Sequence, residues 1–302
     1  MIYPDVQSWK ITSNFPLTRV GTTDFKLPFK IRRPDGLHVL IPEINVFVDL
    51  PPHLKGSHMS RNIEVIHSVR NSQEEFGSLE EICERISTEM LKRHEYAECA
   101  EVTMRADYFL DRKNPGGKMN TEQYGLIAEA VSKWEGKGRI KTTKVIGVEV
   151  TGLTACPCGM ETTRAIYLNT PPAVSPRPSI THNQRNISRV CIETQGDQEI
   201  EANELIEIVE KAMSSPSFGI LKRKDEAAII WKAHNSPKFV EDVVRDILKE
   251  IVKNYPELDD ESVVTVSSKS FESIHKHNAF AEAIMKMREL RKIYSQNRRE
   301  ES

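Results

Sequence analysis

The sequence predicts an α+β fold in which one antiparallel strand-and-helix unit occurs twice in tandem. Two observations predict it. Each half of the chain reads as strands, a helical segment and more strands, and two long alternating runs near the middle meet at a tight turn, as in an antiparallel hairpin. The halves share this pattern without residue-level identity. Divided at the end of the hairpin, the units are 1–155 and 156–302, and the second carries most of the residues suited to chemistry.

The first strand-like runs are FKLPFKIR and LHVLIPEINVFVDL, within residues 25–50 and separated by the turn Pro34-Asp35-Gly36. A helix is predicted to start near Ser78. Ser78 and Glu81 fit a capping box, and Ile82, Ile86, Met90 and Leu91 fall on one face. The run CAEVTMRADYFL reads as a strand. YGLIAEAVSKW and RIKTTKVIGVEVTG then form the hairpin around Glu135-Gly136-Lys137-Gly138.

In the second half ISRVCIETQG reads as a strand and ELIEIVEKAM as a helix. KFVEDVVRDILKEIVKNY is a strongly amphipathic helix with Val240, Val243, Val244, Ile247, Leu248 and Ile251 on one side. SVVTVSS and AFAEAIMKM close the chain as strand-like runs, the last also compatible with a helix. Between the halves, LNTPPAVSPRPSITHNQR carries Pro171, Pro172, Pro176 and Pro178, a density that excludes helix and central strand. A loop of that length inside a compact domain is usually functional or mobile, and this one delivers His182.

Composition excludes several classes. The 42 basic and 44 acidic residues are well mixed and leave a formal charge of -2, without the basic excess or stripe of a dedicated nucleic-acid binder. A local basic pocket for phosphates remains compatible with that balance. No apolar segment is long enough to span a bilayer, and MIYPDVQSWK has no apolar signal core, so the chain reads as cytoplasmic. The five cysteines, Cys83, Cys99, Cys156, Cys158 and Cys191, are too sparse for a secreted disulfide framework. Cys83, Cys99 and Cys191 fall in helical or strand-like patterns and read as buried core thiols.

Five places hold residues that do chemistry in other proteins. Cys156-Pro157-Cys158 ends the hairpin strand. Thiolate is a ligand for zinc or ferrous iron and a nucleophile, and two packed thiols would give the same spacing. A C-x-x-C knuckle is absent, so sulfur alone would not complete a metal site. Thr181-His182-Asn183-Gln184-Arg185 follows the proline-rich stretch, where Arg185 suits a phosphate or carboxylate and a solvated loop is the plain alternative. LKRKDE, ending at Glu226, reads by itself as a charged turn between elements. FESIHKHN sets Glu272 beside His275 if it turns as a helix, or His275 beside His277 if it is extended. Glu241 opens the amphipathic helix, where the helix dipole alone would favour a carboxylate. Together they offer one thiol, two imidazoles and several carboxylates, a mixed donor set that suits an open catalytic metal site better than a structural one.

In order along nearly the whole chain, DVQ, GSHMSR, TACPC, THNQR, LKRKDE, FVEDVVRD and FESIHKHNAFA resemble the type IB GTP cyclohydrolases. The bacterial members pass from CPC to HNQR in a few residues. Here METTRAIYLNTPPAVSPRPSIT intervenes, which is more like the archaeal members that open methanopterin synthesis. The resemblance implies the tunnelling fold, with two antiparallel α+β units per chain, and a homo-oligomer, usually a tetramer, with active sites at subunit interfaces. It implies one divalent metal per subunit, Fe(II) foremost and Zn or Mn next, held by Cys156, His182, Glu226 and His275. It makes Cys156, Glu272 and Glu241 the catalytic residues, with Glu272 moving protons and Glu241 holding the guanine edge. Arg185, Lys222, Arg223, His58, Ser60 and Arg61 match positions suited to the triphosphate.

The implied reaction opens the guanine imidazole ring at C8, expels formate and builds a dihydroneopterin, released as the 2',3'-cyclic phosphate in the archaeal reading. Other readings are the bacterial product 7,8-dihydroneopterin triphosphate for folate synthesis, a tunnelling-fold nitrile reductase working through a cysteine nucleophile, and a non-catalytic binding module stabilised by metal. No nucleic-acid or membrane partner is expected.

Overall fold

The structure, a computed structural model, describes residues 4–33, 36–136, 138–167, 179–196, 198 and 200–300. Pro34 and Asp35 of the expected turn, Lys137 of the hairpin turn and the four prolines between 168 and 178 lie outside the described residues. The strands are β1 (Leu17–Lys26), β2 (Phe29–Arg33), β3 (Gly36–Leu40), β4 (Glu43–Leu50), β5 (Cys99–Lys113), β6 (Met119–Glu135), β7 (Arg139–Ala155), β8 (Asn183–Gln195), β9 (Ser215–Pro216), β10 (Val263–Ser270) and β11 (Ala279–Lys286). The helices are α1 (Met59–Arg70), α2 (Leu79–Arg93), α3 (Pro157–Tyr167), α4 (Ala202–Ala212), α5 (Arg223–Asn235), α6 (Val240–Asn254) and α7 (Met287–Glu300). No helix is long and apolar enough to cross a membrane.

Chain contacts divide the fold into two compact units. Unit 1 comprises Met1–Asp107, Leu126–Ile146 and Glu193–Gln198, and unit 2 comprises Tyr108–Gly125, Gly147–Ile192 and Glu199–Ser302. In unit 1, β4 lies antiparallel between β1 and β5. Its alternation buries Ile44, Val46, Val48 and Leu50 on one face, because successive strand side chains point to opposite sides. Helix α2 packs on β4 and buries Ile82, Ile86, Met90 and Leu91, as its 3.6-residue period requires. Its start is capped as the sequence expects: Ser78 Oγ accepts from the Glu81 N–H at 3.3 Å. The Glu81 carboxylate reaches back to the Gly77 N–H at 2.7 Å, one residue before the N-cap.

In unit 2, β10 lies antiparallel between β8 and β11, and β9 pairs with β7. Helix α6 packs on β10, β11 and α4 through Val243, Val244, Ile247 and Ile251. Burying four such side chains contributes roughly 6–12 kcal/mol of transfer free energy before entropy is counted.

Several expectations are corrected. The two early strand runs each break at proline, Pro28 and Pro42, giving four strands with β1 starting earlier. LKRKDE is the start of helix α5 and not a turn, and β8 begins at Asn183, so Asn183, Gln184 and Arg185 belong to a strand and not to a loop. FESIHKHN is neither helix nor strand but a bent connection between β10 and β11, and AFAEAIMK is a strand. Cys83 is buried on α2, whereas Cys99 and Cys191 are only partly buried on their strands. Leu248 sits at the margin of the apolar face of α6, half-buried.

Candidate active site

Strand β7 ends at Ala155, fully buried and fixed on both sides: its N–H donates to Ser214 Oγ at 3.2 Å and its carbonyl accepts the Lys238 N–H at 3.0 Å. The second bond brings the chain entering α6, and therefore Glu241 in its first turn, to the strand end that carries Cys156. Pro157 opens α3, the position where a missing N–H costs nothing. Cys156 donates its N–H to the His182 carbonyl at 3.1 Å, its carbonyl accepts the Thr181 hydroxyl at 2.7 Å, and its Sγ accepts the Gly159 N–H at 3.3 Å. Residues 156 and 181–182, distant in sequence, are thus tied by backbone. Gly159 permits the approach: a Cβ there would lie 2.6 Å from Thr181 Oγ1 and 3.3 Å from His182 Cδ2. Cys158, one residue into α3, is exposed.

His182 and Glu272 are both nearly buried, each with 12% of its side chain exposed, and lie 3.8 Å apart between Nδ1 and Oε2. Gln184 joins them. His182 Nδ1 is 2.8 Å from Gln184 Oε1, and Gln184 Nε2 is 3.3 Å from both Glu272 Oε1 and Thr154 Oγ1. The connection after β10 is held to the start of β8 by the Phe271 N–H donating to the Arg185 carbonyl at 2.9 Å. Further along it, the His275 ring stands edge-on to His182 at 6.3 Å between centroids and stacks on His277 at 5.1 Å.

The structure therefore gathers Cys156, His182, Glu272 and His275, with Glu241 on the adjoining helix. Glu226 is not gathered with them. It is exposed in the first turn of α5, on one i, i+4, i+8 ridge with Ile230 and His234. His234 Nε2 lies 3.3 Å from the Thr181 carbonyl, so that ridge faces the cluster, but eight residues of helix separate Glu226 from His234 by about 12 Å. Among the described residues no three His, Cys, Asp or Glu side chains converge closely enough to hold a metal ion.

Arg185 is exposed near the start of β8. Lys222 and Arg223 sit at the start of α5, where Asp225 caps the helix by accepting the Lys222 N–H at 2.9 Å. Lys118, Lys222, Arg223 and Lys224 border a cavity of about 570 Å³ there, with Asn114 and Asp225. Four cations around one buried carboxylate make it a place for anionic groups. In unit 1, His58 is the N-cap residue of α1, with Ser60 and Arg61 in its first turn. The buried His94 lies close by, its Nε2 2.9 Å from Asn62 Oδ1 and its Nδ1 2.9 Å from Tyr96 OH. Burial first, then the positive charge of Arg61, His58 and Arg93, pushes His94 down to about 4.

Sequence reasoning missed Gln184 and Gly159 as site residues. Gln184 had a visible signal, since two residues apart on extended chain places it on the same side as His182. Gly159 had none, because close approach of two distant segments leaves no local mark.

A family described as type I GTP cyclohydrolase folE2 matches residues 3–281. The GTP cyclohydrolase MptA 2 of Methanocella arvoryzae is 40% identical over 306 residues, 96% of this chain and 98% of that protein. The GTP cyclohydrolase MptA of Methanothermobacter thermautotrophicus is 39% identical over 304 residues, 96% of this chain and 95% of that protein. Among solved structures, uricase from Arthrobacter globiformis matches with a TM-score of 0.53 at 10% identity over 91% of this chain and 94% of its own. A uricase from Bacillus fastidious matches with a TM-score of 0.53 at 10% identity, over 91% of this chain and 95% of its own. The likeness to uricases is one of fold alone and agrees with an antiparallel α+β architecture of the tunnelling type.

Proposed function

The chain belongs to the type I GTP cyclohydrolase folE2 family, and from that premise we propose that it opens the imidazole ring of GTP at C8, releases formate and forms a dihydroneopterin for pterin synthesis. The observation that carries the reading is the His182–Glu272 pair, 3.8 Å apart, on a segment whose backbone is hydrogen-bonded to Cys156 beside the first turn of α6, where Glu241 stands.

Thiol, imidazole and carboxylate fit a divalent ion of borderline softness. Cys156, His182, His275 and, as the member the single chain leaves farthest away, Glu226 are the proposed donors, with Fe(II) the preferred ion and Zn or Mn its substitutes. When bound, such an ion lowers the pKa of water toward neutrality and supplies a nucleophile for C8. The chain's own residues do the rest. Glu241 accepts from guanine N1–H and the exocyclic amine. Glu241 is exposed in the single chain; where bound substrate covers it, adenine, which lacks that donor pair, would leave the carboxylate unpaired at a cost of about 1–3 kcal/mol or more. Glu272, shielded from water beside His182, carries protons to the ring nitrogens as the C8–N bonds break. Arg185, Lys222 and Arg223 neutralise the triphosphate, and Arg61, with the hydrogen-bonding groups of His58 and Ser60, adds a second place for phosphate.

The finer proposals follow the longer insertion between CPC and HNQR and the similarity to the two archaeal proteins: a 2',3'-cyclic phosphate product, a place at the head of methanopterin synthesis, and a cytoplasmic homo-tetramer of two tandem tunnelling-fold units per chain, 1–155 and 156–302, with active sites at subunit interfaces. Anaerobic incubation with GTP and ferrous iron, with formate assay and mass analysis of the pterin, tests the reading. Formate with a cyclic phosphate is expected. A triphosphate product removes the archaeal assignment alone, and absence of formate with iron, zinc and manganese removes the cyclohydrolase.

A further inference from the structure

We infer that Gln184 is a positioning residue that selects the tautomer of His182 and holds Glu272 in line with it, an inference resting on the metal-site reading above. Gln184 is 7% exposed, so its amide satisfies its hydrogen bonds inside the protein. Its orientation follows from its neighbours. Glu272, as a carboxylate, only accepts, so the amide NH2 faces Glu272 Oε1 at 3.3 Å. The amide oxygen then faces His182 Nδ1 at 2.8 Å, and an oxygen at that distance requires a proton on the ring nitrogen. Neutral His182 is therefore the Nδ1–H tautomer, and its Nε2 carries the lone pair. The Cδ2 atom, next to Nε2 in the ring, lies on the side of α3: a Cβ built at Gly159 would be 3.3 Å from it and 3.7 Å from Cys156 Cβ.

The second NH of the amide is used as well. It donates to Thr154 Oγ1 at 3.3 Å, which turns the Thr154 hydroxyl proton toward Ser270 Oγ at 3.1 Å. Ser270 ends β10, immediately before the connection that carries Glu272 and His275. One buried side chain thus links the end of β7, the start of β8 and the β10–β11 connection. Partners that orient a ligating imidazole in this way typically carry 10–100-fold in metal affinity.

Gln184→Met keeps the length and removes every hydrogen bond. Histidine-selective nitrogen-15 NMR of the metal-free protein, with the His182 signal assigned by its loss in His182→Ala, reads the tautomer directly. The wild type should show Nδ1–H, and Gln184→Met a mixture rich in Nε2–H. Cobalt(II) titration, followed through the thiolate charge-transfer band, should show affinity lowered by about 10–100-fold with an unchanged far-ultraviolet circular dichroism spectrum. An Nε2–H tautomer in the wild type overturns the inference, as does Gln184→Met that keeps both the wild-type tautomer and the wild-type cobalt affinity. If the variant does not fold, the wild-type tautomer decides alone. Neither measurement uses GTP, so a chain that released no formate would end the cyclohydrolase reading and leave these results standing on their own.

Discussion

At His94, folding is coupled to pH. The imidazole is fully buried between Asn62 and Tyr96, and its folded pKa of about 4 lies below the unfolded value of 6.5. A depressed folded pKa means that the unfolded chain takes up the proton first as pH falls. The stabilisation is therefore complete above about pH 6.5 and is lost progressively toward pH 4, by roughly 2–3 kcal/mol. Urea midpoints should fall between pH 7 and pH 4.5, and a His94→Gln variant should lose that part of the slope; equal slopes would sink the assignment. At the proposed metal site, Cys156→Ser should abolish the cobalt charge-transfer band and lower formate release by about a hundredfold or more while the fold is kept, and retention of either signal would remove the thiol from the site. These residues were legible to different degrees. Cys156, His182 and Glu272 stood out by chemical type, and the fold brings them together. Glu226 stood out only by its place in a family motif, and the single chain leaves it exposed on α5. Gln184 was overlooked because an amide carries no charge, is not a usual ligand for zinc or ferrous iron, and gains its meaning only from partners 30 and 88 residues away.

Elements explain why some helices were readable and others were not. Helices α2 and α6 each put an apolar residue inward on every turn, and α2 starts at a side-chain cap, so their period and boundary appear in the sequence. Helix α5 starts with four charged residues and leaves Ile230 and Trp231 exposed, so its apolar positions trace no single stripe. Its start is set by Asp225, whose carboxylate accepts the Lys222 N–H while its own N–H donates to the Lys222 carbonyl at 2.7 Å. Asp225→Ala should cost about 0.5–2 kcal/mol by chemical denaturation and should loosen the basic cavity it borders; no loss of stability would show the cap to be idle. Helix α3 was missed because its function is local: it presents Gly159 N–H to the Cys156 sulfur. Gly159→Ala places a methyl 2.6 Å from Thr181 Oγ1 and 3.3 Å from His182 Cδ2, so the Thr181 side chain must turn off the Cys156 carbonyl or α3 must shift. Cobalt affinity should drop by tenfold or more with the urea midpoint nearly unchanged, and an unaltered cobalt titration would refute the packing argument.

At the scale of the whole molecule, the sheet ends in an exposed strand. The strand β11 ends the order β8-β10-β11, and among the described residues its outer edge pairs with no strand. Phe280 and Ile284, two turns of the pleat apart on that strand, are 61% and 63% exposed. An eight-residue edge with two large apolar side chains on one face is a liability in a free monomer, because its unpaired N–H and C=O groups invite another strand. Natural edges of this kind are covered, and the proposed homo-tetramer supplies a cover of matching chemistry, a second copy of the chain. Light scattering on the purified protein should give a multiple of the chain mass. Phe280→Lys with Ile284→Lys should reduce it to the monomer while circular dichroism stays constant, because both side chains point away from the buried face. Formate release should fall with dissociation, since among the described residues of one chain no three such donors close a metal cage. A wild-type monomer with full formate release would show instead that each chain completes its own site, with Glu226 brought in by movement of α5 alone.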